Sequence, residues 1–143
     1  MPSNDHATAN ITCTVSGCDT SNLTFQFSGD NVDSSTGNID FSSIDKKVNV
    51  NITLQNMVAG TVLTFDTATP EKNFWVCPQS SGKPTASSNS NDNFKDFSCS
   101  DSAHLSFEDK NPSNPSPQYF DYMIRVKDAS GNWYNSDPLI VNR

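Results

Sequence analysis

The sequence predicts an all-β domain, a two-sheet antiparallel β-sandwich of eight or nine strands with an immunoglobulin-like or jelly-roll-like arrangement. Three observations predict it. Strong helix formers are scarce: Glu occurs only at Glu71 and Glu108, and no apolar stripe recurs at the helical period. β-Branched and aromatic residues fill the apolar positions instead, and nine Phe, three Tyr and two Trp argue for a packed core over a disordered chain. Apolar and polar residues alternate from Val48 to Leu54 and from Phe120 to Val126, the period of a strand with one face buried and one solvated.

Taken in order, the first strand is short and β-branched, Ile11 to Val15. Leu23, Phe25 and Phe27 alternate with Thr24 and Gln26. Val48, Val50, Ile52 and Leu54 form the clearest half-buried strand. Val62 to Phe65 follows Gly60, and Phe74 to Cys77 is a short apolar run containing Trp75. Leu105 and Phe107 mark another strand, Phe120 to Val126 a long one, and Trp133-Tyr134 and Leu139 to Val141 close the chain. Turn signals separate them. Asp128-Ala129-Ser130-Gly131-Asn132 reads as a tight hairpin with Gly131 at positive φ. Gly29 to Asn38 is a polar loop. Residues 1–143 make one domain, with residues 1–9 as a flexible N-terminal tail and residues 78–96 and 110–118 as long surface loops. The second of these loops holds Pro112, Pro115 and Pro117, which cannot donate to a sheet ladder.

Charge excludes some partners. The net charge is −7, and the arginines are Arg125 and Arg143, with no basic run. Binding nucleic acid requires cations that displace phosphate counterions, so nucleic acid is not an expected partner, and an anionic membrane surface is disfavoured for the same reason. No apolar run approaches the roughly 20 residues of a membrane helix. Met1 to Asn10 lacks the basic and apolar regions of a signal peptide. The compartment is therefore left open between the cytoplasm, export by another route, and export with a leader already removed.

The C-terminal residues carry a family-like pattern. Leu105-Ser106-Phe107-Glu108-Asp109-Lys110-Asn111 precedes the Pro-rich gap. Tyr119-Phe120-Asp121-Tyr122-Met123-Ile124-Arg125-Val126 follows, then Asp128 with Gly131, and the ending Ser136-Asp137-Pro138-Leu139-Ile140-Val141-Asn142. This resembles the C-terminal half of the DP-EP family of small bacterial proteins, the Asp137-Pro138 step before an apolar run being its most recognisable piece. The match covers under a third of the chain. The resemblance implies a two-sheet sandwich of bacterial origin, often without a leader peptide, and implies no activity.

Four cysteines, Cys13, Cys18, Cys77 and Cys99, are an even count. In an exporting context they fit two disulfides: Cys13 with Cys18 across a turn, and Cys77 with Cys99 across the Ser/Asn-rich loop. Reduced, buried thiols are the alternative, and the spacing does not suit zinc. His104 precedes a strand and His6 lies in the tail; a triad would need a positioned partner that the sequence does not single out. Glu71, Glu108, Asp109 and Asp121 offer carboxylates without marking a pair. Asp30, Asp33, Asn38 and Asp40 are hard oxygen ligands close in sequence, but Asx residues in turns usually serve turn geometry. Asn10-Ile11-Thr12, Asn22-Leu23-Thr24 and Asn51-Ile52-Thr53 match the glycosylation pattern as chance expects in so Asn/Thr-rich a chain.

The expected function is a non-catalytic binding module for a neutral polar ligand such as a glycan, without cofactor or metal. The runner-up is a self-associating structural or interaction protein with a protein partner, and a hydrolase comes third. An enzyme is not expected, because no nucleophile–base–orienter set is visible. The candidate contacts are Trp75, Trp133 and Tyr134, flat rings beside turns, with Asn132 and Asn135 as hydrogen-bond partners. The bland alternative gives these rings to the core and to hairpin packing.

Overall fold

The computed structural model describes residues 6–78, 93–113, 115–136 and 139–142. Among the described residues there are ten strands: β1 (His6–Gly17), β2 (Thr24–Gly29), β3 (Ile39–Asp40), β4 (Lys47–Val58), β5 (Phe74–Pro78), β6 (Phe94–Asp101), β7 (His104–Asp109), β8 (Gln118–Lys127), β9 (Trp133–Asn135) and β10 (Leu139–Asn142). The one helical element among the described residues is a 3-10 turn at Pro70–Asn73. Sheet A has the order β2-β1-β4-β7-β6, and sheet B the order β3-β10-β8-β5 with β9 also on β8. The all-β sandwich expected from alternation is the fold of the chain. Each sheet also holds one parallel pair, β1 with β4 and β10 with β3.

The inward side chains of the two sheets make one core. Ala9, Ile11, Cys13 and Val15 of β1 and Val48, Val50, Ile52 and Leu54 of β4 are all buried. Facing them are Phe120, Tyr122, Ile124 and Val126 of β8 with Phe74 and Val76 of β5. Phe74 lies at the centre of an aromatic group, its ring centroid 4.3 Å from Phe107, 5.4 Å from Tyr122, 5.8 Å from Phe97 and 5.9 Å from Phe94. The Tyr122 hydroxyl is buried and donates to the Gly37 carbonyl at 2.8 Å, so the ring reaches its polar partner without leaving the core.

Several elements differ from the sequence expectation. Residues 6–9 are strand and not a flexible tail: β1 begins at His6, and Ala9 is fully buried. Two strands were not expected, β3 and β6. In β6 Phe94 and Phe97 both turn inward although three residues apart, because a bulge at Asp96, with φ 60°, adds one residue and breaks the alternation. The expected strand at 62–65 keeps its alternation, with Leu63 and Phe65 buried, yet its pairing is a single bridge from Thr64 to Lys127. Gly131 has the expected positive φ, 87°.

Of the two expected long loops, residues 79–92 lie outside the described residues, while residues 94–96 belong to β6. The 110–118 connection is anchored at its start. Asn111 is fully buried, and its Nδ2 donates to the carbonyls of Phe41, Ile44 and Lys46 at 3.3, 2.9 and 3.0 Å.

The cysteine pairings are corrected: none of the four cysteines is in a disulfide. Cys13 points into the core from an extended strand that continues to Gly17, about 13 Å of backbone. A disulfide needs Cα atoms within about 7 Å, so Cys18 lies out of reach. Cys77 stands on the outward side of β5 in sheet B, opposite Asp121, whereas Cys99 packs against the core from sheet A. Burial pushes the Cys13 thiol up to about 12. Burial, with the charges of Asp66 and Asp101, pushes Cys99 up to about 11.

Candidate functional site

The outer face of sheet B gathers the aromatic residues singled out by sequence. Arg125 on β8 is flanked by both indoles: its guanidinium carbon lies 3.6 Å from the Trp75 ring centroid and 4.4 Å from that of Trp133. Trp75 comes from β5 and Trp133 from β9, so the stack ties the two strands beside β8 together. Arg125 Nη1 also donates to the Lys72 carbonyl at 3.2 Å, and burial lowers the pKa of its guanidinium. Cation–π contacts of this kind contribute about 0.5–2 kcal/mol each. The guanidinium fills the gap between the rings, so the two facing indole surfaces are closed to a sugar.

The other expected contacts divide. Asn135 lies opposite Arg125 on the same outer face. Tyr134 alternates inward, opposite Val126, packs against the core and donates its hydroxyl to Asp128 Oδ2 at 3.0 Å. Asn132 is held in the hairpin by the same carboxylate, through its backbone N–H at 3.0 Å and its Nδ2 at 3.2 Å. The cluster is therefore compact in sequence but split between a stack, a turn and the core.

The outer face of sheet A is different in kind. On β1 the outward residues are Thr8, Asn10, Thr12, Thr14 and Ser16; on β4 they are Asn49, Asn51, Thr53 and Gln55; on β2 they are Thr24, Gln26 and Ser28. The register aligns them in rows: Thr8 with Asn49, Asn10 with Asn51, Thr12 with Thr53 and Ser28, Thr14 with Gln55 and Gln26. Neighbours bond to each other. Ser106 Oγ donates to Asn51 Oδ1 at 2.8 Å, Asn51 Nδ2 to Asn10 Oδ1 at 3.0 Å, and Thr14 Oγ1 to Gln55 Oε1 at 3.0 Å.

At one corner this face sinks into a depression of about 260 Å³ lined by Thr8, Asn49, Asn51, Asp96, Ser106 and Glu108. Glu108 belongs to this lining although the residue is only 9 % exposed. Glu108 Oε2 lies 3.0 Å from His6 Nε2. Oε1 lies 3.7 Å from Lys95 Nζ and has no hydrogen-bond partner among the described residues. Burial pushes the Glu108 pKa up, but the His6 hydrogen bond and the charges of Lys95 and Lys47 outweigh it and hold the carboxyl below its ordinary value. Asp96 at the rim is the bulge residue with positive φ, a conformation that costs on the order of 1–2 kcal/mol in a non-glycine residue.

The remaining candidates have local roles. His104 Nδ1 lies 2.7 Å from Asp101 Oδ1, three residues away at an exposed turn. Asp33 Oδ1 accepts from the N–H and hydroxyl of Ser35, Asp40 Oδ1 does the same for Ser42, and Asp30 Oδ2 accepts from the Asn10 N–H. Those carboxylates close turns and strand ends, as Asx residues do. The chain matches no protein-family model, no curated protein and no solved structure.

Sequence reasoning did not single out His6, Thr8 or Asn49 around this depression and gave Glu108 as one of several carboxylates with no pair marked among them. A signal was present: Ala7, Ala9 and Ile11 continue the inward alternation backwards, which extends the first strand to His6 and places Thr8 and Asn10 outward.

Proposed function

We propose that the protein is a non-catalytic binding module for a neutral polar ligand, a glycan, and that the depression on the outer face of sheet A is its site. The observation that carries this reading is the polar lining of the depression, with Thr8, Asn49, Asn51 and Ser106 side by side. Lys95 and Lys47 lie near Glu108, and Asp96 adds a second carboxylate at the rim, so no surplus cation is left to attract an anion. Hydroxyls and amides of this kind favour a ligand that brings both O–H donors and oxygen acceptors. A sugar hydroxyl meets both needs, and the open depression of about 260 Å³ suits a single sugar ring. Kinship with the DP-EP group remains a proposal on the C-terminal residues alone and adds no activity.

A neutral-glycan array followed by titration calorimetry tests the reading. Asn49→Ala removes an exposed amide from the lining, and affinity is expected to fall about tenfold or more. Trp133→Ala separates the two faces: affinity should be unchanged if the ligand sits on sheet A and abolished if it sits on sheet B. Failure of the wild type to retain any neutral glycan sinks the reading. The second reading, self-association, draws on β2, an edge strand without a charged residue from Thr24 to Gly29. Light scattering over a concentration series decides it, since a concentration-independent monomer is incompatible with a self-associating role.

A further inference from the structure

We infer that the ligand is an extended, neutral, hydroxyl-rich chain that crosses sheet A diagonally, with the Glu108 depression as one of two subsites. This rests on the glycan reading above and names the length and path of the ligand. The first observation is a second depression on the same outer face, about 310 Å³, lined by Thr14, Gln26 and Ser28 with Ser34 from the following loop. It is displaced from the first by roughly two strand spacings and four residues of strand rise, a distance on the order of 15 Å. That is too far for one sugar ring and within the span of a short oligosaccharide.

The second observation is what lies between. The direct path passes over Asn10, Thr12, Asn51 and Thr53, all outward-facing and cross-paired in register. None carries a charge, in a protein whose net charge is −7, and none is a large apolar side chain. Charged groups gather instead around the first depression, where Lys95 lies beside Glu108 and Asp96 stands in the lining. The path therefore presents short donors and acceptors at the regular spacing of the sheet, about 4.8 Å between strands and about 6.7 Å between alternate residues. Short side chains keep it shallow, which suits a ribbon lying on the face better than a molecule inserted into a cleft. A polyanion would find no cation along it, and an apolar chain no apolar strip.

The third observation concerns the exit: the Thr14–Gln26–Ser28 depression opens at β2, the edge of the sheet, from which a polymer can continue.

The test uses the full chain and neutral oligosaccharide series, the gluco-, xylo-, manno- and chito-series from monosaccharide to hexasaccharide, with affinity read by calorimetry. For the series that binds, the hexasaccharide should bind about tenfold or more tighter than the disaccharide. The double variant Thr14→Val, Gln26→Ala should bring hexasaccharide affinity down to that of the disaccharide and leave disaccharide affinity unchanged. Asn49→Ala should weaken both. An unaltered circular dichroism spectrum and melting temperature show that the double variant is folded. A wild type that binds mono- and hexasaccharide equally overturns the chain path and leaves the single-site reading standing. Loss of all binding in every series overturns both. Dimerisation of the wild type that the double variant abolishes overturns the inference in favour of a face that pairs with a second copy of this chain.

Discussion

Asn111 shows how one side chain replaces many contacts in a proline-rich connection. Its φ of 43° is left-handed, a conformation that asparagine tolerates better than most residues. In that pose its amide serves three carbonyls of the 41–46 segment while its own N–H donates to Asp109 Oδ1 at 2.9 Å. Asn111→Ala should leave buried carbonyls unpaired in a strained backbone and cost about 3 kcal/mol or more, read as a shift in the urea midpoint. The sequence marked this residue only as part of a loop. Nothing local announces that an asparagine will be buried, because its partners lie some 70 residues away. Trp75, Trp133 and Arg125 tell the reverse story: the rings were conspicuous in sequence, but the cation that occupies them sat among the alternating residues of a strand. For the same reason the candidate site moved to sheet A. Threonines and asparagines at alternate positions look like ordinary solvated strand, and their significance comes from the register that aligns them.

The β1–β2 hairpin depends on one glycine. Gly29 has φ 126°, and a Cβ there would press into the Asn10 carbonyl oxygen, which already accepts the Asp30 N–H at 3.0 Å. Gly29→Ala should force β2 away from β1 and lower stability by about 2 kcal/mol or more, measured by chemical denaturation. If the ligand path is correct, the same variant disturbs the second depression and weakens long glycans more than short ones. Long strands with clean alternation, β4 and β8, were legible from sequence because period-two burial is written into each residue. β6 was not, since its bulge places two inward phenylalanines three apart. β3 is two residues long and exists only because β10 runs beside it. β9 and β10 are two strands by sequence, and both pair with β8 in the same register, Trp133 opposite Lys127 in one and Asn142 opposite Gln118 in the other.

Acid should destabilise the whole molecule. Hydrogen bonds within turns hold Asp19, Asp33, Asp101 and Asp128 below the ordinary aspartate value. Asp66 and Glu108 are also low, burial opposing the shift and hydrogen bonds with neighbouring cations outweighing it. A carboxyl that is more acidic when folded contributes stability that is fully present above its unfolded value, about 4, and is lost as pH falls through the folded one. The melting temperature is therefore expected to hold from neutral pH down to about pH 5 and to decline steadily below about pH 4. A profile that rises below pH 4 would contradict the assigned shifts. The parallel pairing of β1 with β4 has a different consequence, one of timing. Every pair in it is separated by 41 residues, from His6 with Lys47 to Gly17 with Val58. At ribosomal rates of about 5–20 residues per second, the nascent first hairpin waits on the order of several seconds with one side of β1 unclaimed. During that interval the edge of β1 that later lies inside a five-stranded sheet is open to any passing strand, so crowded synthesis, more than the finished fold, is where this chain is exposed to mispairing.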